Sequence, residues 1–118
     1  MKTSNFVRWG RAKWPGAISI ARKPFPWFSG PSYLDLAPPP LLLARAKAGR
    51  VTWGQYIDQY LAAVLGWLDP AEVAADLQRL AGDAEPILLC WCGKGKPCHR
   101  RIVAAWLGEA LGMEVPEL

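Results

Sequence analysis

The sequence predicts an α/β fold, a three-layer sandwich with a small, mostly parallel sheet of Rossmann-like type, and three observations predict it. Short apolar runs of strand length, "GAISIAR" and "PILLCW", are separated by stretches whose apolar residues recur at helical spacing. "PILLCW" is continuously apolar, as in a parallel strand covered by helices on both faces. The resulting order of strand, helices, strand, helix, strand is that of an α/β sheet.

Taken in order, "GAISIAR" is rich in β-branched residues and lies between Gly16 and Pro24, so it reads as a strand. "RKPFPWFSGP" is a long aromatic and basic loop, because its prolines remove backbone donors and its glycine marks a turn. "LLLARAKAG" has the propensity of a short helix closing near Gly49. Thr52 and Gln55 form a capping box for a helix over about 53–67, with Tyr56, Tyr60, Leu61, Val64, Leu65 and Leu68 as its apolar stripe. Asp69 as cap and Pro70 at the first helical position start the next helix, which buries Val73, Leu77 and Leu80 and stops at Gly82. After "PILLCW", helical spacing resumes at Pro97 and runs through Ile102, Val103, Trp106, Leu107, Ala110 and Leu111 to Gly112. The closing "MEVPEL" is expected as a short edge strand. Trp67 and Trp106 fall at buried helical positions.

The 118 residues, 52% of them hydrophobic, suit one domain spanning 1–118 with one core. No apolar run is long enough to cross a bilayer, and "MKTSNFVRWGRAKW" lacks the apolar centre of a signal peptide, so a soluble cytoplasmic protein without membrane partners is expected. Net charge is +4 and unevenly spread. Residues 1–34 hold Lys2, Arg8, Arg11, Lys13, Arg22 and Lys23 without an acidic residue, whereas 51–85 hold six acidic residues against Arg79 alone. A second basic cluster, Lys94, Lys96, Arg100 and Arg101, surrounds the cysteines. Two basic regions folded together would make a cleft for phosphate, nucleotide or nucleic acid.

The segment "LLCWCGKGKPCHRRIVAAWL" carries all three cysteines and the single histidine. It sits where a strand hands over to a helix, the place at which open α/β sheets bind ligands. Pro97, Cys98, His99 and Arg100 are expected in the first helical turn, where free N–H groups and the helix dipole favour an anion and lower a thiol pKa. Gly93 and Gly95 permit close backbone approach, and Lys94 and Lys96 add charge. Cys98 is thus a candidate nucleophile beside His99; the competing reading is a small apolar residue packed under the loop. The cysteine, five residues and arginine of a phosphatase loop are absent, since the sixth residue after Cys92 is Cys98 and the sixth after Cys90 is Lys96, so phosphatase chemistry is disfavoured. Clustered cysteines cannot lay out a disulfide framework, so reduced thiols or metal ligation are favoured. The expectation is a site without metal or cofactor. The alternatives are zinc held by Cys90, Cys92, Cys98 and His99, and a reversible Cys92–Cys98 disulfide.

The pieces "SNF", "AISIARKPFPWFSGPSYLDLAPP", "TWGQYIDQYLAAVLGWLDPAEV", "ILLCWC" and "PCHRRIVAAWL" together resemble the bacterial and phage family called domain of unknown function 488, over nearly the whole chain. The "CWC…PCH" piece is also similar to the related family numbered 4326. The resemblance implies a compact α/β domain with a site made by Cys90, Cys98, His99 and Arg100, joined by Arg22 at the "IAR" strand end and by Tyr33. It implies no activity.

Two functions of different class remain open. One is an enzyme on a phosphorylated or nucleotide-like substrate, with Cys98 as nucleophile, His99 as proton shuttle and Arg22, Lys96 and Arg100 holding the anion; Lys23, Tyr33 and Lys94 extend the binding set. The other is a module that binds nucleic acid, by charge and by stacking on Trp9, Trp14, Trp27 and Phe28, or one stabilised by zinc.

Overall fold

The computed structural model describes residues 1–93 and 96–118. Three strands, β1 (Lys2–Asn5), β2 (Ala17–Ser19) and β3 (Ile87–Cys90), form one parallel sheet in the order β1-β3-β2. Registers pair Lys2 and Ala17 with Ile87, and Ser4 and Ser19 with Leu89. The last strand in sequence therefore lies in the middle. Single parallel bridges extend both edges, Thr3 to Glu117 and Ser19 to Ser32. The predicted C-terminal edge strand is thus reduced to one bridged pair, because Pro116 has no N–H to continue a ladder.

Helices α1 (Phe6–Ala12), α2 (Pro40–Lys47), α3 (Trp53–Ala63), α4 (Pro70–Ala81) and α5 (His99–Leu111) complete the chain. The caps read from the sequence are present. Thr52 and Gln55 make their reciprocal capping box, Asp69 accepts from the Ala71 N–H, and Gly112 closes α5 in the left-handed region. Helix α3 ends earlier than its periodicity predicts. Gly66 and the nearby Asp69-Pro70 start signal disfavour its continuation, and a 3-10 turn at Leu65–Trp67 takes over. This turn keeps Leu65 inside but leaves Trp67 83% exposed, which corrects its predicted burial. Trp106 is half-buried against the core.

The sheet separates two apolar clusters, which makes the three layers explicit. On one face Ile18, Ile20 and Leu88 pack with Tyr56, Tyr60, Val73, Leu77, Val103 and Leu107 of α3, α4 and α5. On the other, Ala17, Ile87 and Leu89 pack with Phe6 and Trp9 of α1, backed by Phe25 and Phe28. Successive β3 residues serve opposite faces, as strand geometry requires. Two buried or half-buried tyrosines staple the intervening loop to the helices: Tyr60 donates to the Leu36 carbonyl at 2.6 Å, and Tyr33 to Asp76 of α4 at 2.6 Å. Among the described residues no helix is long and apolar enough to cross a membrane.

Gly16 is fixed by packing rather than by φ. Its carbonyl accepts from the Ile87 N–H at 2.9 Å, and a Cβ there would run into the Glu85 backbone. Gly10, inside α1, has open space where a Cβ would stand. Gly16→Ala should therefore cost about 1–3 kcal/mol through overpacking, whereas Gly10→Ala should gain about 0.5–1 kcal/mol through helix propensity. Urea unfolding midpoints of the two variants, moving in opposite directions, check this.

Candidate active site

Strand β3 delivers Cys90 to the carboxyl edge of the sheet, and the chain returns through Lys96, Pro97 and Cys98 to start α5 at His99. Cys98 is the N-cap residue of α5. It is extended, with φ −158° and ψ 148°, and its side chain makes no capping hydrogen bond. The expected first turn is corrected accordingly: Pro97 and Cys98 precede the helix, while His99 and Arg100 begin it. The Cys98 sulfur is turned instead toward β3, where it lies beside that of Cys90. Cys92, half-buried, stands close to both. All three sulfurs lie within 4.8 Å of one another.

Arg100 holds this arrangement from beneath. Its side chain is fully buried, and its guanidinium donates to Cys90 Sγ (2.8 Å), to the Cys92 and Gly93 carbonyls (2.8 and 3.0 Å) and to Glu117 (2.9 Å). A guanidinium so committed points into the protein. The expectation that Arg100 grips a bound anion is corrected: it is a positioning residue that shapes the turn after β3.

His99 is the second buried polar group. Its Nε2 lies 2.7 Å from the Ile20 carbonyl oxygen. That oxygen can only accept, so Nε2 carries the hydrogen and Nδ1 of the neutral ring keeps its lone pair. Nδ1 faces Cys98 Sγ at 3.6 Å. Burial, aided by the neighbouring Arg100 charge and opposed by the Ile20 bond, lowers the His99 pKa to about 4. The imidazole is neutral at pH 7, as a general base must be.

These groups floor a cleft of about 1080 Å³. Of the residues predicted from sequence, Cys90, Cys92, Cys98, His99, Arg22, Lys23 and Lys96 line it together. Arg22 is partly spent on structure, donating to the Pro38 carbonyl through Nε at 3.2 Å and Nη2 at 3.0 Å. Tyr33 lies outside the cleft lining, bound to Asp76, and burial raises its pKa. Lys94, also predicted to bind substrate, falls outside the described residues, as does Gly95.

The opposite wall was missed in the sequence. It comprises Lys47 at the end of α2 and Thr52, Trp53 and Tyr56 at the start of α3, with Trp91 on the near side. Thr52 announced a helix cap and Tyr56 a core stripe, and neither signal says that the same turn faces a cleft. The aromatic rings run inward in contact: Trp53 stacks on Tyr56 (5.4 Å, 21°), Tyr56 on Tyr60 (6.2 Å, 8°), and Tyr60 meets His99 at 5.7 Å. Burial pushes the Tyr56 hydroxyl up to about 12 and that of Tyr60 well above its ordinary value, so both remain neutral.

For metal ligation the cluster offers three sulfurs, without His99 as a fourth member. Three thiolates so placed would suit a thiophilic ion such as zinc.

A family model, DUF488-N3a, described as "Active DUF488-N3 subclade", matches residues 13–111, and the chain belongs to this family. No curated protein and no solved structure matches it.

The His99 environment has a consequence for stability. The folded state holds the ring neutral down to about pH 4, while an unfolded chain takes up a proton near pH 6.5, so the unfolded state binds more protons between these values. The contribution, on the order of 3 kcal/mol, is complete above the unfolded pKa and is lost as the pH falls toward the folded one. Between pH 6.5 and 5, above most carboxylate titration, denaturant unfolding should show stability falling by about 1 kcal/mol per pH unit. His99→Gln should abolish that slope.

Proposed function

We propose that this protein is an enzyme acting on a phosphorylated, nucleotide-like substrate, with Cys98 as nucleophile and His99 as its general base. One observation carries the reading: a buried, neutral imidazole, anchored through Nε2 by the Ile20 carbonyl, presents its bare Nδ1 to Cys98 Sγ at the floor of the cleft. Nucleophile, base and orienting group in sequence are the arrangement that activates a weak nucleophile. The His99 ring accepts the thiol proton as sulfur attacks and returns it to the leaving group.

The rest of the cleft supports the substrate class. Lys23 and Lys96 are exposed at its rim, and Lys47 and Arg22 also line it, so an anionic group meets positive charge near the sulfur. Trp53, partly exposed and already stacked on Tyr56, offers a flat surface for a base. The subclade's designation as active agrees with a catalytic reading.

After reduction with a phosphine, Cys98 should react with iodoacetamide near pH 7 faster than Cys92 in the same chain, as judged by mass spectrometry of the labelled peptides. His99→Gln keeps a donor for Ile20 but supplies no base, and should slow Cys98 labelling by about 100-fold. A Cys98 that stays unlabelled until the protein is denatured, or that labels equally fast in His99→Gln, overturns the proposal.

A further inference from the structure

We propose that the nucleotide entering the cleft belongs to a single-stranded nucleic acid, whose neighbouring bases stack on an aromatic ridge running from Trp91 to Trp27 and whose phosphates track the basic face beside it. The inference rests on the reading of the cleft as a nucleotide site, though not on the reactivity of Cys98.

Trp91 belongs both to the cleft and to the surface outside it. It is 53% exposed, lines the cleft, and donates from its indole nitrogen to the Lys23 carbonyl at 2.6 Å. Its ring contacts Phe25 at 5.8 Å, and Phe25 contacts Trp27 at 5.5 Å. Trp27 is 81% exposed, an unusual setting for the largest apolar side chain. The ridge is rigid rather than loose, because Phe6 of α1 touches both Trp91 (5.2 Å) and Phe25 (6.5 Å) from below. Aromatic platforms fixed in this way stack bases without regard to sequence.

Charge complementarity selects the occupant. The ridge is built entirely from the part of the chain that lacks acidic residues, apart from Trp91. Helix α1, which supports it, carries exposed Arg8 and Arg11 and is followed by exposed Lys13, and Lys23 stands where ridge and cleft meet. Six of the ten acidic residues, Asp58, Asp69, Glu72, Asp76, Asp83 and Glu85, come from α3, α4 and the segments beside α4. A polyanion with exposed rings fits this face, whereas duplex bases are already stacked on one another and cannot reach the tryptophans.

The corrections to the sequence reading sharpen the surface. Trp9 is buried with Lys13 Nζ 4.1 Å above its ring, and Trp14 and Phe28 are packed against the second cluster. Of the four aromatics first considered for stacking, Trp27 is the exposed one, and Trp91 joins it.

The test is fluorescence anisotropy of labelled 12-nucleotide dT and rU strands and of a 12-base-pair duplex, each titrated with the intact protein at several salt concentrations. Salt-sensitive binding of a single strand in preference to the duplex is expected, with dT against rU distinguishing DNA from RNA. Trp27→Ala should weaken it roughly 5- to 100-fold, the range for loss of one stacked base. Replacing Arg11, Lys13 and Lys23 together with Gln should flatten the slope of log K against log salt by about 2, at roughly 0.7 per phosphate contact. Equal binding of duplex, absence of strand binding at low salt, or an unchanged affinity in Trp27→Ala overturns the inference. Iodoacetamide labelling of Cys98 in the same samples separates the two readings. Rapid labelling without strand binding overturns this inference and leaves the nucleophile standing, whereas strand binding with an inert Cys98 supports the surface and overturns the nucleophile.

Discussion

A fully buried guanidinium is the constraint on which the site depends. Arg100 is permanently charged, and removing that charge from water costs several kcal/mol unless every donor finds a partner. Its partners come from three places: the sulfur at the end of β3, the carbonyls of the turn that follows, and Glu117 near the C-terminus. Meeting the cost therefore fixes where Cys90 points and how the backbone turns at Cys92 and Gly93. It also ties the C-terminal residues to the sheet edge, where Thr3 accepts from Leu118 and pairs with Glu117. Cys98 then caps α5 and His99 begins it, with little freedom left in their placement.

The same burial divides the electrical work of the cleft. Beneath the sulfurs the positive charge is enclosed and paired, and it helps to keep His99 neutral. Toward solvent the positive charge of Lys23 and Lys96 is exposed and available to a ligand. Cys98 lies between these layers, with the Nδ1 of His99 at its side. Lys96 is exposed beside the cleft, whereas Arg100, given the same part by the sequence, is enclosed.

Much of the fold was legible because it is written in local signals. The capping box at Thr52, the Asp69-Pro70 start, the Gly112 stop and the continuous apolar run of β3 each act within a few residues, and each appears where the sequence places it. The first strand was not legible, since Lys2–Asn5 is polar throughout and its burial comes from pairing with β3 far along the chain. The site was half legible. A cysteine at a strand end and Cys-His-Arg at a helix start marked the floor, but the roles within it turn on partners no spacing encodes: Ile20 for His99, Glu117 for Arg100, Cys90 for Cys98. Tyr33 shows the limit from the other side, because a tyrosine that the family resemblance added to the site binds Asp76 and serves the fold.

The account's central claim is that His99 is a neutral, Nε2-protonated base aimed at Cys98, and the chain's single histidine makes it directly measurable. The measurement is a pH titration of the imidazole nitrogens by NMR on the reduced, folded protein. The account predicts one Nε2-H tautomer from neutral pH downward, titrating near the value of about 4 set by its burial. A ring that titrates near 6.5, or that carries its proton on Nδ1, contradicts it.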